Sequence, residues 1–408
     1  MLKHIIALVF IFFCATFAWF VLGLITESRT YSQERDLKKV VGELWGSEQN
    51  QQAPSIFYTT KESRKVQSIE DNKVTEKIEY EYIKHVLKLD KSDINVDIKL
   101  TPRKKGLLWY PTYSIDFAGE YLVSNPGDKK NITFSYTFPT ENGVYDNFII
   151  YVNDKEVKDT DPVNGQINVD TVFNKDESKV IKVIYKTQGM EKWWYSFGEY
   201  ISQVKNFTLN MTTNFDKIDF PDKSISPTDK VKTKDGWKLT WKYKNLISGI
   251  QIGMDMPQKL NPGPFVSKVT FFAPVSLFLF MFLVFVISTV KKIKIHPMNY
   301  FFIACAFFSF HLLMAYLADH VDINVAFMIS SVVSIFLVIS YMRLVVGIKY
   351  ACIEIGLSQL IYLILFSYAF FLEGFTGLAI TICCILTLFV VMQFTGKVNW
   401  EELFKVKV

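Results

Sequence analysis

Six long apolar runs with almost no charged residues constrain this chain more than any other feature of its sequence. The first, Ile5–Ile25, holds 21 residues without a charge. A helix needs about 20 apolar residues to cross the hydrocarbon core of a bilayer. Since the links between the later runs are short, we predict six membrane helices, the last five arranged as antiparallel hairpins. The later runs are Val269–Val290, Met298–Leu317, Ile323–Met342, Tyr350–Leu372 and Phe375–Phe394.

The first run has a competing interpretation as a cleavable signal peptide. It is longer than the apolar core of about 7–15 residues that such peptides carry, and no clear small-x-small cleavage site follows it. Cys14 follows two phenylalanines, which does not match a lipid-attachment site. We therefore predict an uncleaved N-terminal anchor.

The middle of the chain has the opposite character. Residues 27–264 carry 35 of the 45 Lys and Arg residues and 34 of the 40 Asp and Glu residues, so this block is highly charged and balanced. A net charge of only +5 gives no basic field of the kind that binds nucleic acid. We predict a water-soluble block between membrane segments. The predicted parts are an anchor over 1–26, a periplasmic domain over 27–264, a helix bundle over 265–396 and a cytoplasmic tail over 397–408.

The Lys and Arg residues beside the predicted spans indicate the orientation of the chain. With a cytoplasmic N-terminus, nine of them fall on the cytoplasmic side and only Lys268 falls close to the membrane on the other side. Cytoplasmic loops are enriched in Lys and Arg. We therefore predict that both termini are cytoplasmic and that residues 27–264 are periplasmic. The nine are Lys3, Lys291, Lys292, Lys294, Arg343, Lys349, Lys397, Lys405 and Lys407.

Within the block, the hydrophobic period changes from helical to extended. Leu37, Val40, Val41 and Leu44 follow helical spacing, and Gly46 can end that helix, which either forms a stalk or packs on the domain behind it. From about residue 52, apolar and polar residues alternate, as in strands with one buried face. We predict an antiparallel β-sandwich, with two subdomains meeting near residue 160 as an option. The block has no cysteine, so it folds without disulfides.

The sequence offers no catalytic signature. It contains no H-E-x-x-H, no P-loop, no G-x-S-x-G and no C-x-x-C motif, and the soluble block has His85 as its single histidine. All five cysteines lie inside apolar runs, and we interpret them as small packing residues. We predict a protein without enzymatic activity, metal or cofactor.

A few polar residues inside or beside the spans are candidate functional positions, because polar groups are costly in lipid. Glu354 lies one turn inside its span, where it either pairs with Arg343 or Lys349 or supports proton or ion movement. His311 lies near mid-span, where we expect a hydrogen bond between helices rather than a proton relay. Asp319 and His320 end their span as a predicted surface pair, and His320 is a weak candidate for pH sensing.

The order of parts and several stretches resemble the CreD family of bacterial inner-membrane proteins. The match starts at His296-Pro297-Met298-Asn299-Tyr300 and continues through Asp319-His320 and Ala326-Phe327. It closes on Phe394-Thr395-Gly396-Lys397-Val398-Asn399-Trp400, which is similar to the family's Thr-Arg-x-x-Asp-Trp ending, with Gly396 and Asn399 replacing its charged residues. The resemblance covers about residues 265–402. The motif positions carried over are His296, Pro297, Tyr300 and Trp400.

The resemblance implies an inner-membrane protein with a large periplasmic domain, linked to cell-envelope integrity and envelope stress, with no established reaction. Our leading hypothesis is a structural or interaction protein whose β-domain contacts an envelope protein or cell-wall component while the helices contact the lipid bilayer. The alternatives are a transporter or channel accessory, with a path near His311, Glu354 and Gln359, and a membrane sensor whose β-domain binds a ligand.

Overall fold

The computed structural model describes residues 2–70, 73–106, 108–125, 127–140, 143–198, 202–372 and 374–396. It divides into two compact units. The helical unit comprises Met1–Asp36 and Leu260–Val408, and the β unit comprises Leu37–Lys259.

Six helices in the described part of the chain are long and apolar enough to cross a membrane, which confirms the predicted number. The later five begin and end within a few residues of the predicted runs, except that α2 begins seven residues earlier, at Pro262. The first helix continues well past its apolar run. The helices are α1 (Leu2–Trp45), α2 (Pro262–Val290), α3 (Pro297–Leu317), α4 (Ile323–Val346), α5 (Ile348–Phe371) and α6 (Thr376–Thr395).

The helix boundaries follow from local capping chemistry. Pro297 occupies the first turn of α3, where a missing N–H costs nothing, and the His296 ring accepts a hydrogen bond from the Met298 N–H at 3.2 Å. The Asp322 carboxylate caps α4 by accepting from the Asn324 N–H at 2.9 Å. Gly347 separates α4 from α5 with a φ of +87°, a value that glycine adopts without strain. The helix α3 therefore begins at Pro297, with His296 as its N-cap residue.

The interior of the helical unit is built around aromatic side chains from α1, α2 and α3. Trp19 of α1 is fully buried, and its ring centroid lies 5.1 Å from Phe308 and 6.1 Å from Phe307. Phe280 of α2 packs on Phe307 at 5.4 Å. The first helix is thus a packed member of the bundle as well as an N-terminal span.

The β unit contains seventeen strands among its described residues. In most of the longer strands apolar residues alternate with polar ones, so these strands have one buried face, as in β4 and β7. The strands are β1 (Gln49–Gln52), β2 (Ser55–Glu70), β3 (Lys73–Leu87), β4 (Lys91–Leu100), β5 (Arg103–Lys105), β6 (Leu108–Tyr110), β7 (Thr112–Ser124), β8 (Lys130–Thr137), β9 (Tyr145–Val152), β10 (Lys155–Glu156), β11 (Gln166–Phe173), β12 (Ser178–Met190), β13 (Lys192–Ser196), β14 (Ser202–Thr213), β15 (Asp229–Lys232), β16 (Trp237–Ser248) and β17 (Ile252–Asp255).

Two of the sheets pack face to face. The larger has eight strands in the order β10-β9-β12-β7-β4-β14-β16-β15, and the smaller has the order β11-β8-β2-β3. Their inner faces share one core, in which Tyr121 of β7 lies 6.3 Å from Phe134 of β8 and Tyr136 of β8 lies 6.3 Å from Tyr185 of β12. Strands from both sides of residue 160 belong to the larger sheet. The antiparallel β-sandwich predicted from alternation is confirmed.

Two strand pairs depart from the antiparallel pattern. β14 runs parallel to β4 with Leu209 opposite Ile94, and β1 runs parallel to β13 in a three-stranded sheet that β17 completes. Alternation along one strand fixes which face is buried but not which strand becomes the neighbour. Strand direction therefore had to come from the tertiary structure.

The end of α1 packs within the β unit, which resolves the choice between a free stalk and a packed helix. Val41 is buried in a small cluster with Leu108, Tyr110 and Met190. The helix ends at Trp45, and Gly46 follows with a φ of +96°. A Cβ at this glycine would lie 2.3 Å from the Gln188 carbonyl oxygen, so the position requires glycine on both counts.

Candidate functional site

A polar hollow of the β unit lies on the outer face of the eight-stranded sheet. Its volume is about 370 Å³. Five adjacent strands line it, and their apolar residues point into the core. The polar residues that alternate with them therefore lie on this outer face. The polar side chains lining it are Asn95, Asp97, Asp116, Lys186, Asn210, Thr212 and Lys238.

Charged groups cross the hollow from strand to strand. The Lys99 ammonium lies 3.0 Å from the Asp116 carboxylate and 3.1 Å from that of Asp97, and Lys186 reaches Asp116 at 3.4 Å. Hydrogen bonding to Asp116 and Asp97 raises the pKa of Lys99. Partial burial opposes ionisation of Asp116, but the two lysines lower the pKa of that carboxyl below its ordinary value. Lys99 and Asp116 therefore both remain charged at neutral pH.

Neutral polar groups extend this network across the parallel β4–β14 pair. The Thr212 hydroxyl donates to Asp97 at 2.8 Å, the Asn210 amide donates to Asn95 at 3.2 Å, and the Thr240 hydroxyl donates to Asn210 at 3.2 Å. Such a surface offers donors and acceptors in alternation, a chemistry suited to a ligand rich in hydroxyl groups. Alternation in the sequence identifies the solvent-exposed face of β4. Which five strands lie side by side could be learned only from the strand order of the sheet.

The helical unit holds the polar positions predicted from the sequence, and Glu354 has a different partner from the predicted ones. Its carboxylate pairs with Lys291, the residue that ends α2, rather than with Arg343 or Lys349. Tertiary packing brings the end of α2 against the start of α5, which places Lys291 beside Glu354. The second carboxylate oxygen of Glu354 is buried without a hydrogen bond to any described residue.

His311 lies in an aromatic environment. It is buried, and the Trp19, Phe310 and Phe307 ring centroids lie 5.7, 4.9 and 6.2 Å from its own. Neither ring nitrogen makes a hydrogen bond within the described part of the chain. The predicted mid-span position holds, but a hydrogen bond between helices, which we expected as its ordinary role, is not formed here.

Buried polar atoms also connect α3, α4 and α5. The Gln359 amide donates to the Ser334 hydroxyl at 2.9 Å, and Ser334 donates to the Ala306 carbonyl at 2.7 Å. Gln359 lies between two π-helical segments of α5, Ala351–Gly356 and Leu360–Leu365. Local π-helical turns frequently occur at functional sites. The structure does not join Gln359 to Glu354 or His311 by any described hydrogen bond.

Asp319 is engaged with α1. Its carboxylate lies 2.9 Å from the Arg29 guanidinium, which also donates to the Ala315 carbonyl at 3.4 Å. His320 is exposed, and among the described residues no ion pair joins it to Asp319. The predicted surface pair between these two neighbours is wrong, because Arg29 provides a partner from another helix.

The motif positions have structural roles where they are described. His296 and Pro297 begin α3, as given above. Tyr300 is buried, and its hydroxyl lies 3.3 Å from that of Ser288 on α2. Trp400 lies outside the described residues. Within the described part of the chain, no group of three or more His, Cys, Asp or Glu side chains is arranged to hold a metal ion.

Comparison with known families decides the affiliation. A family model described as "Inner membrane protein CreD" matches residues 1–401. The chain belongs to the CreD family. The match includes the β unit, which the sequence motifs alone related to the family only loosely. With its six apolar helices, this CreD-family chain is a multi-pass inner-membrane protein.

Solved structures resemble this CreD-family chain only weakly. A candidate nutrient binding protein from Legionella pneumophila aligns at 10% identity with a TM-score of 0.35, over 57% of this chain and 75% of that one. An M1 zinc metallopeptidase from Deinococcus radiodurans aligns at 10% identity with a TM-score of 0.27, over 41% of this chain and 42% of the peptidase. A search of curated proteins finds no match.

Proposed function

We propose that this CreD-family protein supports cell-envelope integrity without catalysing a reaction, by binding an envelope component on the outer face of its eight-stranded sheet. The observation that carries the proposal is the polar hollow bordered by Asn95, Asp116 and Asn210 on a β unit linked at both ends to membrane helices. Its amide, carboxylate and ammonium groups can replace the water around hydroxyl-rich chains such as cell-wall glycans.

The proposal includes an orientation. The excess of Lys and Arg beside one set of span ends supports cytoplasmic termini and a periplasmic β unit. The polar hollow would then face the space that contains cell-wall polymers. A role in the response to envelope stress follows if occupancy of this face changes with damage to the wall.

We expect a photoreactive amino acid at Asn95 to crosslink to cell-wall glycan or to a specific envelope protein in intact cells. The same probe at Lys155, an exposed position on the edge strand β10, should capture neither, because it lies outside the hollow. In a strain that lacks the protein, Asn95→Ala/Asn210→Ala should fail to restore resistance to detergent, at a normal amount of protein. Full restoration by this variant would contradict the proposal.

A second candidate function is membrane transport, as a transporter or channel accessory. It is favoured by one observation, a set of buried polar atoms in the helical unit that lack hydrogen-bond partners among the described residues: a Glu354 carboxylate oxygen, both His311 nitrogens and the Gln359 carbonyl oxygen. Buried polar groups without partners frequently bind water, and water chains conduct protons or ions.

The Glu354→Gln substitution separates the two functions. It keeps the shape of the side chain but removes the charge that pairs with Lys291. Under the binding proposal, we expect this variant to restore detergent resistance as fully as the wild type, as Lys349→Gln, a control at an exposed lysine near the same helix end, should. Complete loss of resistance at a normal amount of protein, with the control unaffected, would favour transport instead.

A further inference from the structure

The strands β2 and β3 extend beyond their sheet as a two-stranded ribbon. They pair with each other from Ile56–Leu87 to Glu70–Lys73, whereas β8 pairs with β2 only at Ser55, Ile56 and Phe57. Beyond that point, no third strand covers the ribbon among the described residues. The side chains on its two faces therefore decide what this part of the ribbon can contact.

One face of this ribbon combines exposed apolar side chains with lysines. Residues opposite each other in an antiparallel pair share a face, and alternate residues along a strand share it too. The members of this face, which we call the aromatic–lysine face, are Phe57, Thr59, Lys61 and Ser63 of β2 and Ile78, Tyr80, Tyr82, Lys84 and Val86 of β3.

The apolar members are unusually open to solvent. Ile78, Tyr80, Tyr82 and Val86 are between 55% and 68% exposed. Contiguous exposed apolar side chains on a soluble domain mark an interaction surface. The alternation that usually buries one face of a strand leaves large apolar groups on an open face here.

The charges of this face have one sign. Lys61 lies 4.0 Å from the Tyr80 ring centroid, and Lys84 lies 3.7 Å from that of Phe57. None of the nine residues that define this face is acidic, whereas Glu62 and Glu81 project from the opposite face of the ribbon. On the same side of the sheet, Asp170 lies two strands away on β11, where it accepts a hydrogen bond from Thr133 at 2.5 Å. The face is therefore complementary to an anionic partner.

The side-chain chemistry distinguishes a lipid surface from a polysaccharide. Tyrosine suits the boundary between headgroups and acyl chains, lysine binds lipid phosphates, and exposed aliphatic groups gain by entering hydrocarbon. Ile78 and Val86 offer a sugar neither a stacking surface nor a hydrogen bond. Moreover, the β unit is joined at both ends to membrane helices, so this tether keeps the unit at a high effective concentration relative to a bilayer.

We propose that the aromatic–lysine face of the ribbon binds the anionic phospholipid surface of the bilayer in which the chain is anchored. The binding is a surface contact: tyrosines and aliphatic groups enter the interface, and Lys61 and Lys84 neutralise lipid phosphates. This site is separate from the polar hollow, and the inference does not depend on what that hollow binds.

The test uses the full chain in lipid nanodiscs of phosphatidylcholine, with or without phosphatidylglycerol. In a background without native cysteines, an environment-sensitive fluorophore is attached at Ser63→Cys, which keeps every apolar and basic member of the face. The matched control is Glu62→Cys on the opposite face. Glu62→Cys removes a carboxylate and therefore weakens any repulsion between the opposite face and anionic lipid. If the label at position 62 still does not respond, that repulsion cannot be the reason.

We expect the label at position 63 to shift its emission to shorter wavelength in anionic discs and not in neutral ones, with no shift at position 62. Adding Lys61→Gln or Lys84→Gln should lower the ratio of docked to free ribbon roughly fivefold for each lysine removed. Salt at about 1 M, where screening extends over only about 3 Å, should reverse the shift.

Three outcomes would overturn the proposal. The first is an equal response at positions 62 and 63. The second is a shift at position 63 that is the same in neutral discs, as expected if a second copy of the chain pairs with the open edge of β3. The third is a shift produced by an added anionic polysaccharide but not by anionic lipid.

Discussion

Replacing Gln51 with leucine should lower the stability of the β unit by about 2–5 kcal/mol, because it leaves two buried hydroxyl groups without a partner. Gln51 is fully buried on β1. Its side-chain oxygen accepts hydrogen bonds from Tyr136 at 2.8 Å and Tyr185 at 2.7 Å. Each orphaned hydroxyl costs about 1–3 kcal/mol in an apolar interior.

The same burial raises the pKa of both tyrosines well above the ordinary range, so they remain neutral donors that need an acceptor. Leucine is close to glutamine in size, and the loss is therefore one of hydrogen bonding rather than of volume. The measurement is chemical unfolding of the full chain, followed by near-ultraviolet circular dichroism.

Two variants control this experiment. Gln52→Leu makes the same chemical change at the exposed neighbour and should leave the unfolding midpoint unchanged. The triple variant Gln51→Leu/Tyr136→Phe/Tyr185→Phe removes the hydroxyls together with their acceptor, and should recover most of the lost stability. If Gln51→Leu unfolds like the wild type, the two hydroxyls have another acceptor and the central role of Gln51 is wrong.

Replacing Trp19 with alanine should destabilise the helical unit by about 3 kcal/mol, because it leaves a cavity the size of an indole ring between α1 and α3. Trp19 is fully buried and lies edge-on to Phe307, Phe308 and His311. In a bilayer, helices associate mainly through van der Waals packing rather than the hydrophobic effect, so the loss of these contacts accounts for the effect.

The control for this prediction is Phe17→Ala on the same helix. Phe17 is 71% exposed on the surface of the helical unit and should face lipid, so its removal should leave the thermal midpoint of the nanodisc-embedded protein nearly unchanged. Equal midpoints for the two variants would show that α1 is held by its two ends rather than by packing of Trp19.

The extent of the membrane helices was predictable because hydropathy is a local property. Each apolar run lies within one continuous segment, and lipid requires that segment to satisfy its backbone hydrogen bonds as a helix. The run Ile5–Ile25 thus predicted a span, although α1 continues to Trp45. The extra turns are charged, and Val41 lies in a cluster with residues from two other segments of the chain, β6 and β12.

The positions of the polar residues in the membrane helices were predicted better than the residues with which they pair. For Glu354, the sequence suggested nearby Arg343 or Lys349, but the partner is Lys291, 63 residues away. Asp319 was expected to pair with its neighbour His320 and instead pairs with Arg29. A partner depends on which helix ends become neighbours, and short links between apolar runs fix the number of hairpins without fixing their lateral arrangement.

The sequence alone determined which segments of this protein meet lipid and which meet water, and which face of most strands is buried, because both depend on the order of apolar and polar residues along the chain. Only the tertiary structure decided the parallel pairing of β4 with β14, the hydrogen bonds of Gln51 and the ribbon of β2 and β3 with its open aromatic–lysine face. Those features depend on contacts between residues far apart in the chain, and hydropathy along a segment does not specify its neighbours.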